Sequence, residues 1–116
     1  MLASTQDTNY FDYHVSRTDL ARAYAYTPVP SGLSAEEQDR VIGGECCMWT
    51  EFAPQRHVES MLYPRILATA ENLWTAPQAD TKDPAAFYHR VKAHCRRLDA
   101  MDVSYGAAYP AGKEPV

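Results

Sequence analysis

The chain has 116 residues and a mass of 13.0 kDa, the size of one ordinary domain, and its 46% hydrophobic and 22% charged residues are a normal globular composition. The formal net charge of −4 argues against a broad cationic surface for nucleic acid. Apolar runs are far shorter than the roughly 20 residues of a membrane helix, and no basic segment with a following apolar run opens the sequence. We therefore expect neither a membrane span nor a nucleic-acid partner, and with no visible signal peptide the compartment is left open.

Residues 1–26 predict the end of a strand, then a loop and a short helix. Met1–Ser4 fits the last residues of a strand, and Thr5–Asn9 is polar and is expected to form a loop. Arg17–Tyr26 has a weak helical period of apolar residues and precedes Pro28, whose ring is incompatible with a helix interior. We therefore expect one helix here that ends before the proline.

The middle of the chain carries a helix-start signal and then a candidate buried strand. Ser34 and Glu37 have the spacing of a capping box, so a helical turn is expected from there to about Arg40. Val41–Met48 is mostly apolar and too short for a typical helix. This composition suits a strand that is buried on both faces of a parallel sheet.

Two amphipathic helical segments are predicted in the second half of the chain. His57–Trp74 has apolar residues close to a helical period, but Pro64 lacks a backbone donor, so the helix is expected to restart with Pro64 in its first turn. Asp83 and Pro84 form an N-cap and a first-turn proline, and the last helix should run to about Met101. Its buried stripe is expected at Phe87, Val91, Cys95 and Leu98.

The three cysteines favour packed free thiols over a metal site or a disulfide. Cys46 and Cys47 are adjacent, and neighbouring side chains on a strand point to opposite faces. The two thiols are therefore poorly placed to hold one metal ion or to bridge each other. We expect no metal site and no cofactor, and we expect thiols that pack as small apolar groups.

The predicted elements do not complete a sheet. One clear buried strand and a second strand at the start of the chain are accompanied by helices, whereas a buried parallel strand needs strand neighbours on both edges and helices over it. Two strands cannot satisfy that requirement. Either another chain or copy completes the sheet, or these residues form the C-terminal portion of a larger α/β domain.

The end of the predicted strand matches a known family signature. Residues 41–51 read Val-Ile-Gly-Gly-Glu-Cys-Cys-Met-Trp-Thr-Glu. This order resembles the Gly-Gly-Glu opening and the Trp-x-Glu ending of the eighth barrel strand in family 20 glycoside hydrolases, the β-N-acetylhexosaminidases. Three further matches follow the family order, over roughly residues 4–105: Tyr10-Phe11-Asp12 after strand seven, Tyr63-Pro64-Arg65 with Ala70-Glu71 and Trp74 in the helix after strand eight, and Leu98-Asp99-Ala100 in the closing helix.

The resemblance implies an α/β fold, namely a C-terminal fragment of a (β/α)8 TIM barrel with about the last two strand–helix units. A whole barrel takes about 250 residues. We therefore expect residues 1–116 to form a partial catalytic barrel domain that is incomplete at its N-terminal side and needs the missing portion for a complete fold. The family's catalytic Asp-Glu pair follows the fourth strand, and no Asp-Glu dipeptide occurs in this sequence.

By resemblance, the sugar contacts come from two loops at the carboxyl ends of neighbouring barrel strands. In the family the acetamido oxygen of the substrate attacks the anomeric carbon, the substrate-assisted exception among retaining enzymes. Tyr10 would hydrogen-bond this oxygen and position it, which is the catalytic contribution expected of this chain. Asp12 would bind the sugar 6-hydroxyl. Trp49 would form a wall for the acetamido methyl and the ring, and Glu51 would accept hydrogen bonds from the 4- and 6-hydroxyls.

These four residues also fit plainer roles, as turn residues in the first loop and as a core aromatic and a helix cap in the second. If the strand alternates regularly, Glu45 shares a face with Cys47 and Trp49 and is expected to pair with a basic group in the missing part of the barrel. Arg65, next to Pro64 at a helix start, is expected to be structural.

Two hypotheses about function follow. The first is an enzyme: the C-terminal portion of a β-N-acetylhexosaminidase that removes terminal β-linked N-acetylglucosamine or N-acetylgalactosamine from glycans or chitooligosaccharides, although the isolated chain is expected to be inactive. The second is a non-catalytic truncated fragment that binds sugar weakly or is only structural. Residue identity favours the first hypothesis, and chain length favours the second for the isolated polypeptide.

Overall fold

Two short strands are separated by three helices and followed by further helices, and the computed structural model describes residues 1–76 and 79–113. The two strands lie side by side, and a helix of the second half of the chain packs against the second strand. The strands are β1 (Leu2–Ala3) and β2 (Gly43–Gly44), the α-helices are α1 (Gln6–Asn9), α2 (Leu20–Ala25), α3 (Ala35–Gln38), α4 (Val58–Leu62), α5 (Ile66–Thr75) and α6 (Pro84–Ala100), and 3-10 turns cover Gln55–His57 and Ala79–Thr81.

Strands β1 and β2 pair in parallel, with Leu2 opposite Gly43. Farther along, Tyr10 and Cys47 form an isolated parallel bridge. Strand β2 is parallel to its neighbour as predicted, but it covers only Gly43–Gly44 rather than Val41–Met48, and it is half-buried rather than buried. The chain after β1 turns away from β2 and returns only at Tyr10, so regular pairing is interrupted between the two points.

Helix α1 forms where a loop was predicted, and that prediction is wrong. The Thr5 carbonyl accepts a hydrogen bond from the Asn9 N–H at 2.9 Å, which closes a single helical turn. Asn9 is fully buried, and its Nδ2 donates to the Glu45 carbonyl at 2.8 Å. The Asn9 side chain therefore makes the hydrogen bond that a neighbouring strand would otherwise make just after β2. The polar composition of Thr5–Asn9 gives no sign of this contact.

Helix α2 begins at Leu20, later than the predicted start at Arg17, because Asp19 is its N-cap residue. The Asp19 carboxylate accepts a hydrogen bond from the Arg22 N–H at 2.8 Å and acts as the N-cap. The last carbonyls of an α-helix lack partners in a following turn, and those of α2 accept hydrogen bonds from side chains outside the helix. Asn72 Nδ2 donates to two of them at 3.2 Å each, and Lys82 Nζ binds the helix end at 2.7 and 2.8 Å.

Both predicted helix caps are confirmed. Ser34 and Glu37 form a complete capping box at the start of α3, and the hydrogen bond from the Ser34 backbone lowers the pKa of Glu37. Asp83 caps α6 by accepting from the Ala86 N–H at 3.0 Å, with Pro84 as the first helical residue. The predicted length of this last helix agrees with the structure to within one residue.

The predicted break in the segment His57–Trp74 separates α4 from α5. The Tyr63–Pro64 peptide bond at the break is cis. The predicted restart is wrong in detail, because Arg65 is the N-cap residue and α5 begins at Ile66, so Pro64 lies outside the helix. The first turn of α5 is nevertheless hydrogen-bonded to this proline, because the Leu67 N–H donates to the Pro64 carbonyl at 3.0 Å.

The core lies between α2, α5 and α6, on one side of the two strands. The rings of Tyr24 and Phe87 stack at its centre with their centroids 4.2 Å apart. Three of the four residues of the predicted α6 stripe are buried, and Cys95 packs at the edge. The buried members of the cluster are Phe11, Leu20, Ala23, Tyr24, Ala68, Phe87, Val91 and Tyr109.

Gly44 marks the face of β2 that meets the helices. A Cβ atom at this position would lie 2.9 Å from the Ala3 carbonyl oxygen and 3.0 Å from the Tyr26 hydroxyl. These distances are shorter than ordinary contacts, so only glycine lets the strand approach α2 this closely. Residues two positions apart on a strand share a face, and Cys46 indeed packs against the same core.

Arg65 is a buried cation that ties the start of α5 to the loop after Tyr10. It is 3% exposed, and its guanidinium donates to the carbonyls of Tyr13 and Thr18 at 2.9 Å each and to that of Phe11. The Met61 carbonyl accepts from its Nε at 3.0 Å. Burial lowers the pKa of Arg65 to about 10, and the Asp12 carboxylate acts in the opposite direction. The predicted structural role of Arg65 is confirmed.

We expect Arg65→Lys to lower the free energy of unfolding by about 3 kcal/mol, because a lysine ammonium cannot reproduce the planar fork and leaves buried carbonyls unpaired. Arg40→Lys is the matched control, since Arg40 forms an exposed ion pair with Glu36 and should change stability by less than about 0.5 kcal/mol. Urea unfolding followed by tryptophan fluorescence measures both variants. Equal losses in the two variants would contradict the structural role of Arg65.

Candidate functional site

Two loops meet beside the strands because Tyr10 and Cys47 are paired. The Cys47 N–H donates to the Asn9 carbonyl at 2.8 Å, and the Phe11 N–H donates to the Cys47 carbonyl at 2.9 Å. These two hydrogen bonds fix the register of residues 9–11 against residue 47. The loop that carries Tyr10 and Asp12 therefore starts next to the loop that carries Trp49 and Glu51.

Tyr10 is half-buried at the junction of the two loops. The electrostatic influence of Cys47 is the main cause that raises the pKa of Tyr10, with further contributions from partial burial and from a hydrogen bond to Cys47. A hydrogen bond from Trp49 acts in the opposite direction. A phenol is protonated at neutral pH even at its ordinary pKa, and the shift here is upward, so Tyr10 can donate a hydrogen bond to a ligand oxygen.

Asp12 lies deeper than a loop residue usually does. Its side chain is 3% exposed, and its Oδ1 atom is buried without a hydrogen-bond partner among residues 1–76 and 79–113. The carboxylate is close enough to the Arg65 guanidinium to raise its pKa. A buried carboxylate oxygen without a donor is costly, so Asp12 has capacity to accept a hydrogen bond from outside the described chain.

Trp49 and Glu51 lie on the surface of the second loop. The Trp49 side chain is 54% exposed, although its indole reaches Tyr10. Glu51 is exposed, and the part of the chain that the structure describes gives it no hydrogen-bond or ion-pair partner. The structure therefore brings Trp49 to Tyr10 and leaves Glu51 free at the rim.

An aromatic cluster beside the site was not predicted from the sequence. Tyr13 stacks on Tyr10 with their ring centroids 6.2 Å apart, and the Phe52 ring centroid lies 6.2 Å from that of Tyr13. The Arg17 guanidinium covers the Tyr13 ring at 4.0 Å, and Gln6 donates to the Tyr13 hydroxyl at 2.7 Å. The sequence signal was the position of Tyr13 and Phe52, each one residue after a predicted sugar-binding carboxylate.

A groove of about 430 Å³ lies between α5 and α6, away from the four predicted site residues, and Trp74 and Phe87 are among its walls. Within residues 1–76 and 79–113, no three His, Cys, Asp or Glu side chains cluster closely enough for a metal ion. No described helix combines the length and apolar character needed to cross a membrane.

Comparison with known proteins identifies relatives of this chain. The model of the catalytic domain of glycosyl hydrolase family 20 matches residues 1–77. A beta-hexosaminidase of Porphyromonas gingivalis is 37% identical over 92 residues, which are 78% of this chain and 12% of that protein. Human beta-hexosaminidase subunit beta is 30% identical over 91 residues, 78% of this chain and 16% of the subunit. The chain therefore spans only a small part of the length of these curated relatives.

Solved structures show the same fold. The beta-N-acetylhexosaminidase from Bacteroides fragilis superposes with a TM-score of 0.76 at 21% identity, over 97% of this chain and 25% of that one. An inactive variant of the GH20 exo-beta-N-acetylglucosaminidase from Vibrio harveyi gives a TM-score of 0.70 at 23% identity, over 90% of this chain and 18% of that one. Because the family model covers more than half of the sequence, the chain belongs to glycosyl hydrolase family 20.

Proposed function

We propose that this chain forms the C-terminal part of a β-N-acetylhexosaminidase barrel and supplies one side of its sugar-binding site. The observation that carries the proposal is the pairing of Tyr10 with Cys47, which joins the loop of Tyr10 and Asp12 to the loop of Trp49 and Glu51. By resemblance to family 20, these are the positions that we expect to contact an N-acetylhexosamine.

The open side of the sheet supports a partial barrel over residues 1–116. Helix α5 packs against β2, and Leu2 and Ile42 next to the strand pair are 55% and 77% exposed. Parallel strands are ordinarily buried on both faces and both edges. The preceding strand–helix units of a barrel would cover these residues and would face Glu45, whose pairing with a basic group there remains a prediction.

Tyr10 has the chemistry that a substrate-assisted reaction needs from this side of the site. The acetamido oxygen of the substrate forms a bond to the anomeric carbon while the bond to the leaving oxygen breaks. A neutral phenol that donates to the acetamido group holds its oxygen at the attack position, and such pre-positioning supplies part of the rate enhancement. The proton for the leaving oxygen comes from a carboxylic acid outside this chain, because the sequence has no Asp-Glu pair.

The other three residues bind the sugar. The free, buried Oδ1 of Asp12 is suited to accept a hydrogen bond from a substrate hydroxyl, which would satisfy an atom left unpaired here. Glu51 at the rim can accept from hydroxyls remote from the anomeric carbon, and hydrogen bonds to a charged group contribute about 1.5–3 kcal/mol. The exposed Trp49 ring provides an apolar wall.

We expect the 116-residue chain alone to leave 4-nitrophenyl N-acetyl-β-D-glucosaminide intact, because the general acid is absent. Activity should return in a barrel chimera in which this chain replaces the matching segment of the Porphyromonas gingivalis relative. The release of 4-nitrophenol measures both proteins, and the parent enzyme is the control. Turnover by the chain alone that Glu51→Gln abolishes would contradict the proposal, as would a cooperatively folded chimera without activity.

In the barrel chimera, we expect the site variants to separate binding from turnover. Tyr10→Phe should lower kcat by about a hundredfold with KM within about threefold, because its hydrogen bond acts where bonding changes. Glu51→Gln should raise KM by about tenfold, and Trp49→Ala should impair both constants. Tyr105→Phe, on the surface next to Asp99, is the matched control. The role of Tyr10 would be wrong if Tyr10→Phe changed only KM.

A further inference from the structure

The Cys47 side chain lies beside the Tyr10 side chain. Paired residues of neighbouring parallel strands point to the same face, on backbones about 4.8 Å apart. Backbone hydrogen bonds on both sides of the bridge hold this register. The Cys47 thiol therefore lies within the candidate site, whereas the neighbouring Cys46 packs against the helical core on the other face.

The Cys47 thiol is itself held by a polar neighbour. Ser4 Oγ lies 3.6 Å from Cys47 Sγ, within hydrogen-bonding distance for sulfur. This contact joins the residue that follows β1 to the thiol. A thiol can both donate and accept weak hydrogen bonds, so one group can bind the serine and the phenol together.

The electrostatics of Tyr10 agree with this arrangement. The electrostatic influence of Cys47 raises the pKa of Tyr10 more than any other cause, and a side-chain hydrogen bond between the two residues acts in the same direction. Tyr13, stacked on the Tyr10 ring, contributes in the same direction, and Trp49 opposes it. The phenol therefore has the stacked ring on one side and the thiol and the indole near its hydroxyl.

We propose that Cys47 is a positioning residue for Tyr10, fixing the phenol hydroxyl where it meets the acetamido oxygen of the substrate. The inference rests on the proposed function and assigns a role to a residue outside the sugar contacts. Cys47 acts through Tyr10, so its loss lets the phenol move without removing a contact to the sugar. Small errors in the position of a catalytic group lower turnover more than binding.

The test compares two thiols that are adjacent in the chain but lie on opposite faces. In the barrel chimera we expect Cys47→Ala to lower kcat by about five- to tenfold with KM within about twofold. Cys47→Ser should restore kcat to within about threefold of the unsubstituted chimera, because a hydroxyl can bond to both Ser4 and Tyr10. Cys46→Ala, the matched control, should leave kcat within about twofold even where it lowers the melting temperature.

The outcomes separate this inference from the proposed function. An unsubstituted chimera that folds without activity contradicts the proposed function, whatever the cysteine variants do. With an active chimera, the positioning role is overturned by an unchanged kcat in Cys47→Ala, by equal losses in Cys47→Ala and Cys47→Ser, or by an equal loss in Cys46→Ala. If Cys47→Ala does not fold, the kcat of Cys47→Ser decides: a value within about threefold supports the role, and a larger loss overturns it.

Discussion

The buried guanidinium of Arg65 is the constraint on which the arrangement of the site depends. It donates to the carbonyls of Phe11 and Tyr13, which flank Asp12, and Arg65 is also the N-cap residue of helix α5. A buried cation is stable only when its donors are paired, and here the partners are backbone carbonyls of the loop and of helix α4 rather than a carboxylate. The hydrogen bonds of Arg65 therefore hold the backbone of the loop after Tyr10 against the start of α5.

The second organising feature is the difference between the two faces of the strand pair. Gly44 allows β2 to pack closely against the helices. A Cβ atom at this position would lie only 3.0 Å from the Tyr26 hydroxyl. The opposite face carries the pairing of Tyr10 and Cys47, and the Trp49 indole reaches the phenol there. Packing on the helical face makes the strands a firm support, so functional side chains can project from the other face.

Local signals in the sequence predicted some elements well, because the interactions that start a helix are local. The capping box at Ser34 and the N-cap at Asp83 depend on neighbours three residues away. Helix α1 and the shortness of β2 could not be predicted, since they depend on Asn9 reaching a carbonyl 36 residues away. For the site, family motifs identified the candidate residues, whereas the contact of Tyr10 with Cys47 needed the register of two distant segments.

The central claim is that the two loops form one subsite for an N-acetylhexosamine, and the most direct measurement is a crystal structure of the barrel chimera with N-acetylglucosamine bound. We expect the Tyr10 hydroxyl within about 2.6–3.2 Å of the acetamido oxygen. We also expect a sugar hydroxyl on the free Oδ1 of Asp12 and the Trp49 ring against the acetamido methyl. A sugar bound elsewhere, or one that leaves Tyr10 and Asp12 without contact, would contradict a shared subsite.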